Sequence, residues 1–151
     1  MGMGLEQLTV WTKSKEFALS VYRLVIPALP IEEKWAMATQ LRRSAASVPA
    51  NIAEGYGRYY FQDNIRFCYI ARGSLQEVVS HLSLCLELGY INYEVFEELS
   101  QQARQILQLL NGYIAYLKRS KHGENEPGSF TSIAEETAPY DISEEPLDDD
   151  Q

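Results

Sequence analysis

The stretch QLRRSAASVPANIAEGYGRYY, residues 40–60, decides the fold. Leu41, Ala45, Val48 and Ile52 recur at helical spacing, yet Pro49 stands inside the pattern. A proline in a helix interior deletes one backbone hydrogen bond and clashes with the preceding turn, at a cost of about 3 kcal/mol. The stretch is also rich in arginine and in small residues. A helix with these properties is kept because of what packs against it, so its neighbours carry the rest of the reading.

Outward from this segment the chain divides at LPIEE, YGRYYFQD and LGYIN, and each piece carries one apolar stripe. The first stripe is Phe17, Val21, Leu24 and Ala28. The second extends the opening stretch to Trp35, Ala38, Leu41, Ala45, Val48 and Ile52. The third is Phe61, Ile65, Cys68, Arg72, Leu75, Val79, Leu82 and Leu86, ended by Gly89. The fourth is Phe96, Leu99, Ala103, Ile106, Leu110, Tyr113 and Leu117, with Asn92 placed to cap it. Sustained 3–4 spacing on four segments with short connections predicts an all-α fold, an antiparallel up-down four-helix bundle over residues 1–120. Helices are expected near 8–28, 31–57, 61–89 and 92–120. Ile70, Val78, Leu84 and Leu88 on the third helix, with Leu107, Leu109 and Ile114 on the fourth, extend the apolar surface beyond one stripe. They mark either a wide core stripe or a second face for self-association.

Charge is divided unevenly. Residues 1–123 hold all 13 Lys/Arg and 11 of the 21 Asp/Glu, whereas residues 124–151 hold the other ten acids and no base. The segment 121–151, with three prolines and no sustained apolar period, reads as a disordered acidic tail. The N-terminus has neither a basic region nor an apolar run of signal-peptide type, and no apolar run approaches the ~20 residues of a membrane span. Cys68 and Cys85 lie 17 residues apart on one helix, roughly 25 Å along its axis, too far to bridge. They read as buried thiols of a cytoplasmic protein.

A hairpin between the second and third helices that turns near residues 58–61 pairs positions summing to about 119. Ala45, Ala46 and Ser47 then face Gly73 and Ser74, which predicts a close crossing of small residues. Arg43 (or Arg42) faces Glu77, and Glu54 faces Arg66. Arg72 sits on the apolar stripe near Pro49, where it either donates to the carbonyls that the proline leaves without a partner or snorkels to a carboxylate at the rim.

With these residues in view, QLRRSAASVPANIAEGYGR, FCYIARGSLQEVVSHL and LELGYI together resemble the bacterial four-helix-bundle family, the 23S rRNA intervening-sequence proteins. The likeness runs from about Val10 to Leu117. A more distant similarity is to the accessory variability protein of diversity-generating retroelements. The resemblance implies a homopentameric helical bundle without enzymatic activity. For the retroelement branch it implies a basic surface that binds nucleic acid and a reverse transcriptase.

Chemistry offers little else. His81 and His122 are far apart, and neither shares a helix face with a cysteine at metal-ligand spacing. No glycine-rich phosphate loop occurs. The expectation is therefore a non-enzyme that needs no cofactor and no metal. Candidate nucleic-acid contacts are Arg42, Arg43, Arg58 and Arg66, interleaved with Tyr56, Tyr59, Tyr60 and Phe61, since aromatic rings beside cations stack bases. Of these, Arg58 and one of Arg42/Arg43 read as free cations. Pro49, Arg72, Glu54, Glu77, Ala46 and Gly73 read as structural. The expected partners are a second copy of the chain, RNA or DNA, and a reverse transcriptase, or else another protein that the oligomer scaffolds. A membrane is not among them.

Overall fold

A computed structural model describes residues 4–121, and within them four helices run up and down without a strand. Helix α1 (Thr9–Ser20) continues through a wide turn, Val21–Val25, into a tight one, Ile26–Ala28. Then come α2 (Met37–Tyr56), α3 (Phe61–Glu87) and α4 (Tyr93–Ser120). The four predicted segments are therefore present. Lys121 closes α4 in a left-handed conformation, φ 46°. The remainder of the expected tail, 122–151, lies outside the described residues.

Local chemistry sets the helix ends. Asn92 caps α4, its Oδ1 accepting from the Val95 N–H at 2.9 Å. At the end of α3 the Tyr90 N–H donates to the Cys85 carbonyl and the Gly89 N–H to that of Leu86, the paired bonds of a Schellman turn. That turn needs Gly89 at φ 76°. No cap residue stands next to the start of α2. The Glu33 carboxylate reaches across instead and accepts from the Met37 N–H at 3.0 Å.

The core stripes hold, with instructive rotations. Leu41, Ala45, Val48 and Ile52 of α2 are all fully buried. Trp35, expected on the same stripe, is instead 83% exposed. Ala36 leaves the helical basin (φ −117°, ψ −98°), so α2 starts two residues after Trp35 and the indole escapes its face. On α1 the wide turn adds a residue to one turn, so Val25 enters the core while Leu24 and Ala28 face solvent. On α3 the buried line is Ile65, Cys68, Ala71, Leu75, Val78, Leu82 and Cys85. Arg72, Val79 and Leu86 flank it, half-buried, one residue round from where strict heptad counting puts the face. Val78 and Ile114, counted as surplus apolar surface, belong to the core, and Leu107 and Leu109 pack against it.

The α2–α3 pair is the most closely knit in the bundle, and the predicted small-residue contact is present in part. Ser47 and Ser74 do meet, Oγ to Oγ at 2.9 Å. Ala46 and Gly73, by contrast, face outward, and a Cβ on Gly73 would meet nothing within 4 Å. The tight point lies nearer the turn, at Gly55. A Cβ there would stand 2.7 Å from Asn64 Oδ1, 2.9 Å from Phe67 Cβ and 3.0 Å from the Asn64 carbonyl oxygen.

Pro49 sits inside α2 without ending it. Arg72 is not its partner: the guanidinium donates to Asn111 Oδ1 of α4 at 3.2 Å and lies over the Tyr69 ring at 4.8 Å. The rotation of α3 that puts Ala71 into the core turns Arg72 toward α4 and away from α2. The polar group beside the proline is instead Asn51, whose Nδ2 donates to the Ser47 carbonyl and to Ser47 Oγ. Hence Pro49→Ala, which restores a backbone donor, should raise the melting temperature. A double-mutant cycle of Pro49→Ala with Arg72→Met should be additive within about 0.5 kcal/mol. A cycle of Arg72→Met with Asn111→Ala should show coupling.

Candidate nucleic-acid interface

Antiparallel packing collects charge at the two ends of the bundle. One end joins the α2–α3 turn to the C-terminus of α4 and the N-terminus of α1. Segments 4–16, 54–72 and 111–121 meet toward it, with eight Lys/Arg against four Asp/Glu. The opposite end joins the α1–α2 and α3–α4 connections. Segments 20–37 and 84–98 meet there, with two Lys/Arg against six Asp/Glu. The bundle is thus electrically polar along its length.

The basic end is also the aromatic one. Tyr59 and Tyr60 pack edge to face, 5.2 Å between centroids, and Tyr113 stacks on Tyr116 at 6.4 Å. Tyr69, in the α3–α4 seam, carries two cations, Arg72 at 4.8 Å and Lys118 at 5.8 Å from its centroid. Arg58 lies 5.2 Å over Phe67. Asn64, buried beside Gly55, donates to the Tyr113 hydroxyl at 3.0 Å and fixes that ring. Flat rings held beside guanidinium and ammonium groups present both things a nucleotide offers to bind, a π-face and a phosphate. Tyr59 and Tyr116 are more than half exposed and accessible for stacking.

The four arginines named from sequence do not form one site. Arg58 and Arg66 belong to the basic end, with Arg58 paired to Glu54 at 2.8 Å and Arg66 to Asp63 at 3.6 Å. Arg58 is therefore not a free cation, and the expected Glu54–Arg66 pair across the hairpin gives way to these two local ones. Arg42 and Arg43 lie farther up α2, Arg42 about 21 Å along the axis from the helix end at Tyr56. Arg43 makes the expected bond to Glu77 at 3.0 Å, and His81 Nε2 lies 3.6 Å from the same carboxylate. The three arginine pairs are at least one-third exposed on both partners, so each is worth at most about 1 kcal/mol and each arginine can exchange its carboxylate for a phosphate. Sequence reading missed Lys118 and Arg119, which stand in the last turn of α4. Their signal was available in the topology: an up-down bundle returns the end of its fourth helix to the turn between its second and third.

Neither cysteine offers a nucleophile. Burial pushes the Cys68 thiol up to about 12, and burial, then the Glu33 charge, pushes Cys85 up to about 11. A thiol whose folded pKa lies above the unfolded value stabilises the fold less as pH climbs from the unfolded pKa toward the folded one. Stability should therefore decline above about pH 9. Cys68→Ala should flatten that decline, a change measured by urea unfolding at pH 7 and pH 10. Among the described residues no three His, Cys, Asp or Glu converge as metal ligands, and no helix is long and apolar enough to cross a membrane.

These features define a small four-helix bundle with one cationic, ring-lined end. The family model of the 23S rRNA-intervening sequence protein matches residues 6–112, so the chain belongs to that family. It is also similar to a solved structure, a Bacteroides thetaiotaomicron protein of unknown function from the S23 ribosomal protein family. The identity is 31% over 70% of this chain and 97% of that one, with a TM-score of 0.64. No curated protein matches the sequence.

Proposed function

We propose that the protein is a non-enzymatic, homo-oligomeric nucleic-acid-binding component, and that single-stranded RNA or DNA is held at the basic end. The observation that carries this reading is the joint arrangement of Tyr69, Arg72, Lys118 and Arg58 with the exposed rings of Tyr59 and Tyr116. A single copy offers few cations. A ring of copies repeats them around an axis and multiplies the phosphate contacts.

An outer surface suited to self-association supports the oligomer. Ala46 and Ala50 of α2 and Ile70 and Gly73 of α3 are all exposed. Between Arg66 and Glu87 the exposed positions of α3 are Ile70, Gly73, Gln76, Ser80, Ser83 and Leu84, with no charge among them. Beside the Arg43–Glu77 pair, these uncharged positions of α3 suit a second copy better than they suit water. Light scattering should give a multiple of the 17.2 kDa chain, and five copies is the number the family resemblance favours. Ile70→Glu should reduce the mass toward that of one chain.

The binding test is fluorescence anisotropy with a labelled single-stranded RNA across a salt series. Affinity should fall as salt rises, because phosphate contacts release counterions. The double variant Lys118→Glu/Arg58→Glu should lose at least about tenfold in affinity at low salt. Equal binding by wild type and variant would exclude this end as the site. No binding by either would leave the oligomer as a protein scaffold.

A further inference from the structure

The acidic end of the bundle carries a second surface that nucleic-acid binding does not use. Four large apolar side chains stand out from its two connections: Ile31 is 76% exposed, Trp35 83%, Tyr93 65% and Leu88 51%. The connections themselves are well fixed. Glu33 ties them together, one carboxylate oxygen accepting from the Met37 N–H and the other from the Tyr90 hydroxyl at 3.2 Å. Partial burial, then the Glu33 hydrogen bond, keeps that hydroxyl protonated above its usual range. Leu29 and Tyr90 pack against the core from the same two segments, and Ile91 is buried. Lys34 lies over the Trp35 ring at 5.0 Å, holding the indole outward. Exposed Trp and Tyr side chains on fixed connections are the usual anchors of protein recognition, because they contribute large contact area.

Charge selects the partner. Glu32, Glu87, Glu94 and Glu98 are exposed around these anchors, and none of them is in an ion pair among the described residues. An acidic rim repels nucleic acid and anionic lipid and attracts a cationic chain. We propose that this end docks a Lys/Arg-rich polypeptide segment of another protein, whose apolar residues cover Trp35, Ile31, Leu88 and Tyr93. With nucleic acid at the opposite pole, the bundle would join a basic protein to a nucleic acid about one helix length apart. The proposal stands on the acidic end alone and survives a failure of the nucleic-acid reading.

The test uses the full-length chain with Trp11→Phe, so that Trp35 is the single indole. The probe is a synthetic peptide alternating lysine and leucine, and the control has glutamate in place of lysine. Titration with the cationic peptide should shift the Trp35 emission to the blue, and the control should leave it unchanged. Tyr93→Ala, and separately Glu32→Lys/Glu94→Lys, should each weaken the binding at least about tenfold. The peptide has a second acidic target in residues 124–151, so affinities are read from the Trp35 emission alone. Binding without a Trp35 shift, or equal affinity in the variants, would overturn the proposal. So would a blue shift on raising the protein concentration alone, because a second copy would then cover this end.

Discussion

Gly55→Leu is expected to be among the most damaging single substitutions in the bundle. The first side-chain carbon would already stand 2.7 Å from Asn64 Oδ1 and 2.9 Å from Phe67 Cβ, with the Asn64 carbonyl at 3.0 Å. No flexible side-chain end can give way, because two of the three atoms belong to the α3 backbone or to the root of a side chain. The helices must separate at this contact, which moves Asn64 off the Tyr113 hydroxyl and Cys68. Overpacking of this kind costs about 1–3 kcal/mol, on the order of 5–15 °C in melting temperature for a domain of this size. Gly73→Leu, which meets nothing within a single copy, should leave the melting temperature within about 2 °C of wild type at low protein concentration. If both variants melt alike, the close crossing is not at Gly55.

The second large effect separates two leucines on α3. Leu82 is fully buried among the four helices, whereas Leu84, two residues on, is 48% exposed. Leu82→Ala removes buried methyl groups and leaves a cavity, for a loss of about 2–5 kcal/mol by urea unfolding. Leu84→Ala should cost less than about 1 kcal/mol at low protein concentration. Its effect should grow with concentration if α3 forms the contact between copies, since an interface residue stabilises only the associated state. Equal losses at low concentration would contradict the core assignment on α3.

Much of this was readable from residue spacing, and the misses share a cause. Leu41, Ala45, Val48 and Ile52 fell in the core as counted, Asn92 caps α4, and Arg43 reaches Glu77. A long regular pattern averages out local irregularity, and a charge pair across a hairpin follows from one register. Trp35 and Leu24 were misplaced because the backbone departs from the regular helix at Ala36 and at the wide turn Val21–Val25. Arg72 was misassigned by one residue of rotation, which is enough to move a side chain from α2 to α4. The closest crossing was sought where small residues cluster, at Ala46 and Gly73, but the glycine that permits it is Gly55, inside NIAEG. The polar distribution of charge was not legible in any single stretch. It appears only when α4 returns Lys118 and Arg119 to the α2–α3 turn.

The most direct measurement is ultraviolet cross-linking of the full-length protein to a uridine-rich single-stranded RNA, with the linked peptides identified by mass spectrometry. Cross-links should fall within residues 56–72 and 111–121, at the rings of Tyr59, Tyr69 and Tyr116 beside Arg58, Arg72 and Lys118. Cross-links concentrated at Trp35 or Tyr93, or spread evenly over both ends, would contradict the placement of nucleic acid at the basic end.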